Sequence, residues 1–508
     1  MRAFCERLPV VLVFLTVLGF SWIFGGASAS HLLPVMPWIW AIALEVLLFL
    51  PQRHMGESYA DARTRVWKSL ARDPVMYLSI LFLLFLLVPL FNRGLCPVCD
   101  YPQVLAGVNP EPPIPFAPFC VNTREHLGVL VWFVPALTAM LAVRHALSHR
   151  GRRMLVHLLV WNGAALASLG FIQQATGAKA PFWLDIADPV MYFSSFGYPN
   201  MAGAFFVALF AVSAGLWLDN VRRDVGKEIR ESRVAASEDH AKDSDRRIDR
   251  FPQWVKTHYL LLPTALCFFA SLATLSRAAI MFAFIILGLW FVYLCLSLFT
   301  TRKNLVRVKL HMGMLFGIVV TVVLIVVFAP DDFTQEVSTL SPVSVADRVT
   351  GKAQYHTRVA TDIFKDHPIF GVGGWGYKHF CLGYMTEKDR VQSVGGVNVH
   401  NDYLQILCEH GIVGAGLFFG IIIALFLPIF RTWGHEMRIA RFSKRSDLPH
   451  PTAIFCVPAV VVGVLLAASA NLVHAFGDCV FRSPAVLTQF ILLLVAVEGF
   501  LPEAERDR

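Results

Sequence analysis

Charge is scarce in this chain. Of its 508 residues only 16% are Asp, Glu, Lys or Arg, against 56% hydrophobic, and the mean hydropathy is +0.58. A soluble protein of this size needs a far more polar surface, so composition predicts an all-α polytopic membrane protein. Low-complexity tracts and short internal repeats are also missing, which sets aside solenoids and propellers. The formal net charge of +8 therefore serves topology rather than nucleic acid, and no nucleic-acid partner is expected.

Several chemical signatures are absent as well. There is no His-Glu-x-x-His, no Gly-x-Ser-x-Gly nucleophile elbow and no clustered Asp/Glu set for a cation. His367, His379, His400 and His410 are too scattered in spacing to imply a metal. Cys96-Pro97-Val98-Cys99 lacks the second pair that a structural zinc site needs. A disulfide from Cys96 or Cys99 to Cys120, with Cys381 a further partner, suits an oxidising compartment better. No metal and no cofactor are expected.

What the chain has is apolar length. Runs near 8–24, 33–50, 74–91, 127–143, 154–173, 201–218, 259–276, 278–299, 310–329, 412–430, 453–474 and 483–501 predict about twelve transmembrane helices. The first ends in Gly26-Ala27-Ser28-Ala29-Ser30, which resembles a signal-peptidase site. Its apolar length and Glu6 favour a retained helix. With the N-terminus inside, the internal loops and both termini hold 32 of the 44 Lys and Arg residues. Residues 1–329 then form helices 1–9, with an external cysteine loop at 92–126 and a charged, solvated internal linker at 219–258. Residues 330–411 form a large, mainly helical external loop, and 412–508 hold helices 10–12 and an internal tail.

The external loop carries a basic set: Arg348, Lys352, His356, Arg358, Lys365, Lys378 and His400. Within it, Gly371 and Gly373 could let backbone N–H groups approach a phosphate, although an ordinary tight turn explains them as well. The stretch Val397–Gly414 is the densest in signals. Asn401 can cap a helix with Leu404, Leu407 and Cys408 on one face, and Gly411 can end it. His400 then sits beside unsatisfied N–H groups, where anions are attracted and the neutral imidazole is favoured. Spacing alone does not separate this from a histidine that merely helps to cap a surface helix. Arg277 lies at the junction of two apolar spans, where a functional role or snorkelling to headgroups accounts for it. Asp478 and Arg482 could form a structural ion pair or contact substrate, and Asn200 suits a helix cap.

Four pieces together resemble the O-antigen ligase and polymerase superfamily. These are Tyr198-Pro199-Asn200, Ser276-Arg277, Arg358 with Asp366-His367-Pro368-Ile369-Phe370-Gly371-Val372-Gly373, and His400-Asn401-Asp402-Tyr403-Leu404 followed by Glu409-His410-Gly411-Ile412-Val413-Gly414. They stand in the family's order, on one predicted face of the membrane. The resemblance implies a GT-C-like architecture in the bacterial inner membrane, with the active site facing the periplasm. It implies metal-independent, inverting transfer of a glycan from undecaprenyl diphosphate to an acceptor hydroxyl. The acceptor would be lipid A–core for a ligase, a glycan for a polymerase, or a protein for an O-oligosaccharyltransferase. His400 would be the base and Arg277 and Arg358 the diphosphate ligands, with Asn200, Asn401, Tyr403, Gly371, Gly373 and Asp478 supporting. A polyprenyl-glycan flippase is the non-enzymatic alternative; it would use the arginines but need no base.

Overall fold

The computed structural model describes residues 2–23, 25, 34–53, 56–94, 112–184, 191–237, 255–301, 317, 352–386, 389, 398–442 and 457–501. Among the described residues the regular structure is helical, with two isolated β-bridges and no strand. The helices are α1 (Arg2–Trp22), α2 (Met36–Leu48), α3 (Tyr59–Leu70), α4 (Pro74–Leu87), α5 (Thr123–Leu141), α6 (His149–Ala175) and α7 (Pro199–Ser237). They continue with α8 (Leu261–Ala273), α9 (Arg277–Thr301), α10 (Lys352–Asp366), α11 (Gly376–Tyr384), α12 (Asp402–Phe442), α13 (Ala459–His474) and α14 (Pro484–Ala496).

Seven of the described helical segments are long and apolar enough to cross a membrane, and four more are apolar but shorter. This is a multi-pass membrane protein. Apart from residue 317, the expected run at 310–329 lies outside the described residues, as do Cys96 and Cys99.

The most buried span is α7. It meets α13 closely because glycines face backbone there. A Cβ on Gly215 would stand 2.7 Å from the Ala459 carbonyl oxygen, and one on Gly463 would stand 2.6 Å from that of Ala211. Residue 219 does not end this helix. Nothing in the sequence there breaks it, and the Asp219 carboxylate accepts from the Ala459 and Val460 N–H groups at 2.8 and 2.9 Å, capping α13.

A second, smaller core stands over the His400 end of the bundle. Val359, Ala360 and Ile363 of α10 pack with Tyr377, Phe380 and Cys381 of α11 and with Phe119, Val399 and Cys408. Cys120 carries a free thiol, contrary to the expected disulfide; its Sγ is buried 3.1 Å from the Pro89 carbonyl. The Cys381 Sγ is buried 3.4 Å from the Lys378 carbonyl.

Candidate active site

Asn401 caps α12, its Oδ1 accepting from the N–H groups of Tyr403 and Leu404 at 3.1 Å each. After two and a half turns the helix is interrupted at Gly411, with φ 59° and ψ −169°, a conformation open essentially to glycine alone. Around this break the glycine loop is clasped backbone to backbone. Val372 and Gly373 N–H donate to the carbonyls of Cys408 and Glu409 at 3.1 and 2.8 Å, and Ile412 N–H donates to that of Pro368 at 2.8 Å. Gly371 N–H likewise donates to the His367 carbonyl at 3.1 Å. In this structure both glycine N–H groups are committed to satisfying orphan carbonyls, which makes the loop a brace for the short helix.

His400 precedes that helix at φ 55°, a left-handed conformation costly for a side chain other than glycine. Leu275, just before Ser276-Arg277, is strained in the same way at φ 55°. The His400 side chain is 47% exposed, and its Nδ1 lies 3.1 Å from Asp478 Oδ1. Among the described residues Nε2 has no hydrogen-bond partner, so it is open to a substrate.

Asp478 is the point where three distant segments meet His400. Its Oδ2 accepts from the Tyr198 hydroxyl at 2.8 Å and from Asn200 Nδ2, while its Oδ1 also accepts from Cys479 N–H at 2.7 Å. Asn200 Oδ1 accepts from the Ser276 hydroxyl at 2.6 Å. Asn200 is therefore inside α7 and bonded across the site, not a cap as its position suggested. Asp478 and Arg482 do not pair either: Arg482 bonds Glu409 and lies 4.1 Å over the Trp375 ring. Tyr403 anchors the same corner from α12, its hydroxyl donating to the Leu472 carbonyl at 2.8 Å.

The electrostatics correct one expectation. The bond from Asp478 raises the proton affinity of His400, outweighing burial, whereas the helix end alone would have lowered it. A full carboxylate charge in contact exceeds the half-charge of a helix terminus. Burial opposes the charge on Asp478, but the His400 and Cys479 bonds still hold it below the ordinary carboxylate range. Beside the pair stands His356, buried, its ring 5.6 Å from that of His400 and its Nδ1 2.8 Å from the Tyr377 hydroxyl. Burial, with His400 nearby, pushes His356 down to about 4, so it stays neutral.

Of the two proposed diphosphate ligands, Arg277 opens α9 next to Ser276 and so adjoins the network. Arg358 is elsewhere on α10, two residues beyond His356, and pairs with Asp389 and, at 3.9 Å, Asp362. His400, Asp478 and Cys479 bring one donor atom each within 4.8 Å of one another, a grouping that no sequence spacing showed. Burial pushes the Cys479 thiol well above its usual range, which makes it a reluctant metal ligand. Sequence reasoning also missed Tyr198, Ser276 and His356 as members of the site. Ser276 and Tyr198 stood inside the motifs, but only the fold shows which of their atoms are used.

Residues 262–419 match the protein family described as O-antigen ligase. This stretch belongs to the O-antigen ligase superfamily. It contains Ser276-Arg277, Arg358, the glycine brace and His400, while Asn200 and Asp478 come to the site from outside it. No curated protein is significantly similar to the chain.

Proposed function

We propose that the protein is a membrane glycosyltransferase that moves an oligosaccharide or polysaccharide from undecaprenyl diphosphate to the hydroxyl of lipid A–core, on the periplasmic face of the bacterial inner membrane. The observation that carries this reading is the convergence on Asp478 of His400, Tyr198-Asn200 and, through Asn200, Ser276.

In this reading Asp478 accepts from Nδ1–H, so His400 presents its Nε2 lone pair to the acceptor hydroxyl. As Nε2 takes the proton, the acceptor oxygen forms a bond to the anomeric carbon. The bond from that carbon to the diphosphate oxygen breaks, and undecaprenyl diphosphate leaves with the electron pair. One displacement inverts the anomeric centre. Arg277 neutralises the charge that builds on the leaving group, and Arg358 joins it by exchanging Asp389 for a donor phosphate. Asp478 stabilises the imidazolium that forms. The chain's own groups supply both acid–base and electrostatic assistance.

The test is transfer by purified protein in detergent, supplied with undecaprenyl-diphosphate-linked glycan and candidate acceptors. Wild type should transfer glycan to lipid A–core, and His400→Ala should bind donor without transferring it. Equal transfer by both proteins would remove His400 from the chemistry. Growth of the glycan chain instead would assign a polymerase, and glycan crossing vesicles without transfer would assign a flippase.

A further inference from the structure

At the other end of the helices that reach the candidate active site lies a second, unassigned set of charges. α4 runs from Phe85 and Leu86, packed near His410 and His126, to Asp73. α5 runs from His126 towards Arg144, and α14 from Arg482 towards Glu498. There a cavity of about 850 Å³ opens among α3, the start of α4, the residues after α5 and Pro428 of the long span α12.

Its inner wall is fixed by mutual pairing. Arg144 bonds Asp73 at 2.6 Å and Glu498 at 2.7 Å, and Arg152 bonds Glu498 at 3.1 Å. His145 bridges Asp73 and Ser69, 2.8 Å from each. The buried carboxylates of the wall are thereby neutralised. The outer wall differs. Lys68 and Arg72 line it, both exposed, and among the described residues neither makes an ion pair. Arg65, also in the lining, pairs with Glu57 at 2.9 Å, so Lys68 and Arg72 carry the cavity's excess charge, which favours an anion.

The setting shows which anion. α3 is a short amphipathic helix with a capping box at Ser58 and Asp61; it buries Ala62, Val66 and Leu70 and leaves Trp67 54% exposed. An exposed Trp beside basic residues, immediately before an 18-residue apolar span, has the composition of a membrane–water boundary. Pro428 of a membrane-crossing helix forms part of the lining. A ligand there can place its charge on Lys68 and Arg72 while its apolar part stays in the bilayer.

We infer that this cavity binds the phosphodiester headgroup of an anionic phospholipid, held by Lys68 and Arg72. This site lies away from the one that carries the proposed transfer and does not depend on it.

Native mass spectrometry of the full chain in neutral detergent, titrated with dioleoyl-phosphatidylglycerol or dioleoyl-phosphatidylcholine, tests the inference. Wild type should retain phosphatidylglycerol at least tenfold more tightly than phosphatidylcholine. Lys68→Gln/Arg72→Gln should bring the two lipids within about twofold. Arg63→Gln removes a charge from the same helix outside the cavity and should keep the preference. Both changed sets are exposed side chains, and gel filtration confirms the fold. A preference that survives the double change, or that Arg63→Gln abolishes equally, overturns the site. Displacement of phosphatidylglycerol by low-millimolar inorganic phosphate would make it a soluble-phosphate site and overturn the lipid assignment.

Discussion

Replacing Asp478 by Asn exchanges one carboxylate oxygen for an NH₂ group and leaves the shape of the site unchanged, which makes it the sharpest probe of the proposed chemistry. The wild-type carboxylate accepts four hydrogen bonds: from His400 and Cys479 N–H on Oδ1, and from Tyr198 and Asn200 on Oδ2. An amide cannot meet all four. If its NH₂ faces Asn200, two donors collide. If it faces His400, it donates to Nδ1, and the imidazole proton moves to Nε2. The lone pair that should take the acceptor proton is then gone.

General-base assistance contributes about 10²–10⁴-fold, or about 3–5 kcal/mol of barrier. Asp478→Asn should lose a large part of this from kcat, with donor binding retained. His400→Ala should lose about as much, and the double variant no more than the worse single one, because the two residues act as a unit. The pH profile carries the sign. Because Asp478 raises the proton affinity of His400, wild-type activity is lost on the acid side as the imidazole protonates. In Asp478→Asn that acid limb should move to lower pH, since the charge that stabilised imidazolium is removed. Initial rates of glycan transfer between pH 5 and 9, at saturating donor, read both effects. Wild-type rate with an unmoved acid limb, or losses that multiply in the double variant, would refute the dyad.

Other expectations are checked more simply. Asn200→Ala removes a donor to a carboxylate, a bond of about 1.5–3 kcal/mol, and should slow transfer by tenfold or more while His400→Ala stays the more damaging change. Gly411→Ala should lower Tm in detergent, because its Cβ would meet the Ile369 carbonyl oxygen at 2.3 Å at a strained φ of 59°, an expected cost of about 1–3 kcal/mol from strain alone. Asp73→Ala breaks the buried pairing with Arg144 and His145 and should destabilise by about 3–5 kcal/mol in chemical unfolding. Burial alone would raise the Asp73 carboxyl, but those partners hold it down at about 2; its contribution should be intact above the ordinary carboxylate range and fade as pH falls towards 2, seen in unfolding curves taken through that window.

What could be read from the chain alone was whatever local chemistry decides. Asn401 and Gly411 start and interrupt one helical turn set through bonds to near neighbours, and the motif named both. Apolar runs gave the helices because burial length is a property of a single segment. The misreadings share one cause. Asn200 was read as a cap because its partner Asp478 is 278 residues away. His400 was read with a lowered proton affinity because the helix end is adjacent in sequence while the opposing carboxylate, which raises it, is 78 residues distant. The clasp of Gly373 on the Glu409 carbonyl is likewise a contact between segments.

The same distances bear on whether this site does chemistry or only binds. A flippase would need cations for the diphosphate and nothing more. Here an exposed histidine is held in a left-handed backbone conformation, a second strained residue precedes Arg277, and a buried carboxylate, fixed by Tyr198, Asn200 and its neighbour Cys479, faces that histidine. Each strained residue costs about 1–3 kcal/mol, and burying a charge costs more unless it is fully bonded. A diphosphate site is served by any cation and has no need of an imidazole anchored on a carboxylate through Nδ1 with Nε2 left open. Proton abstraction from an acceptor hydroxyl requires both, and that asymmetry favours the enzyme.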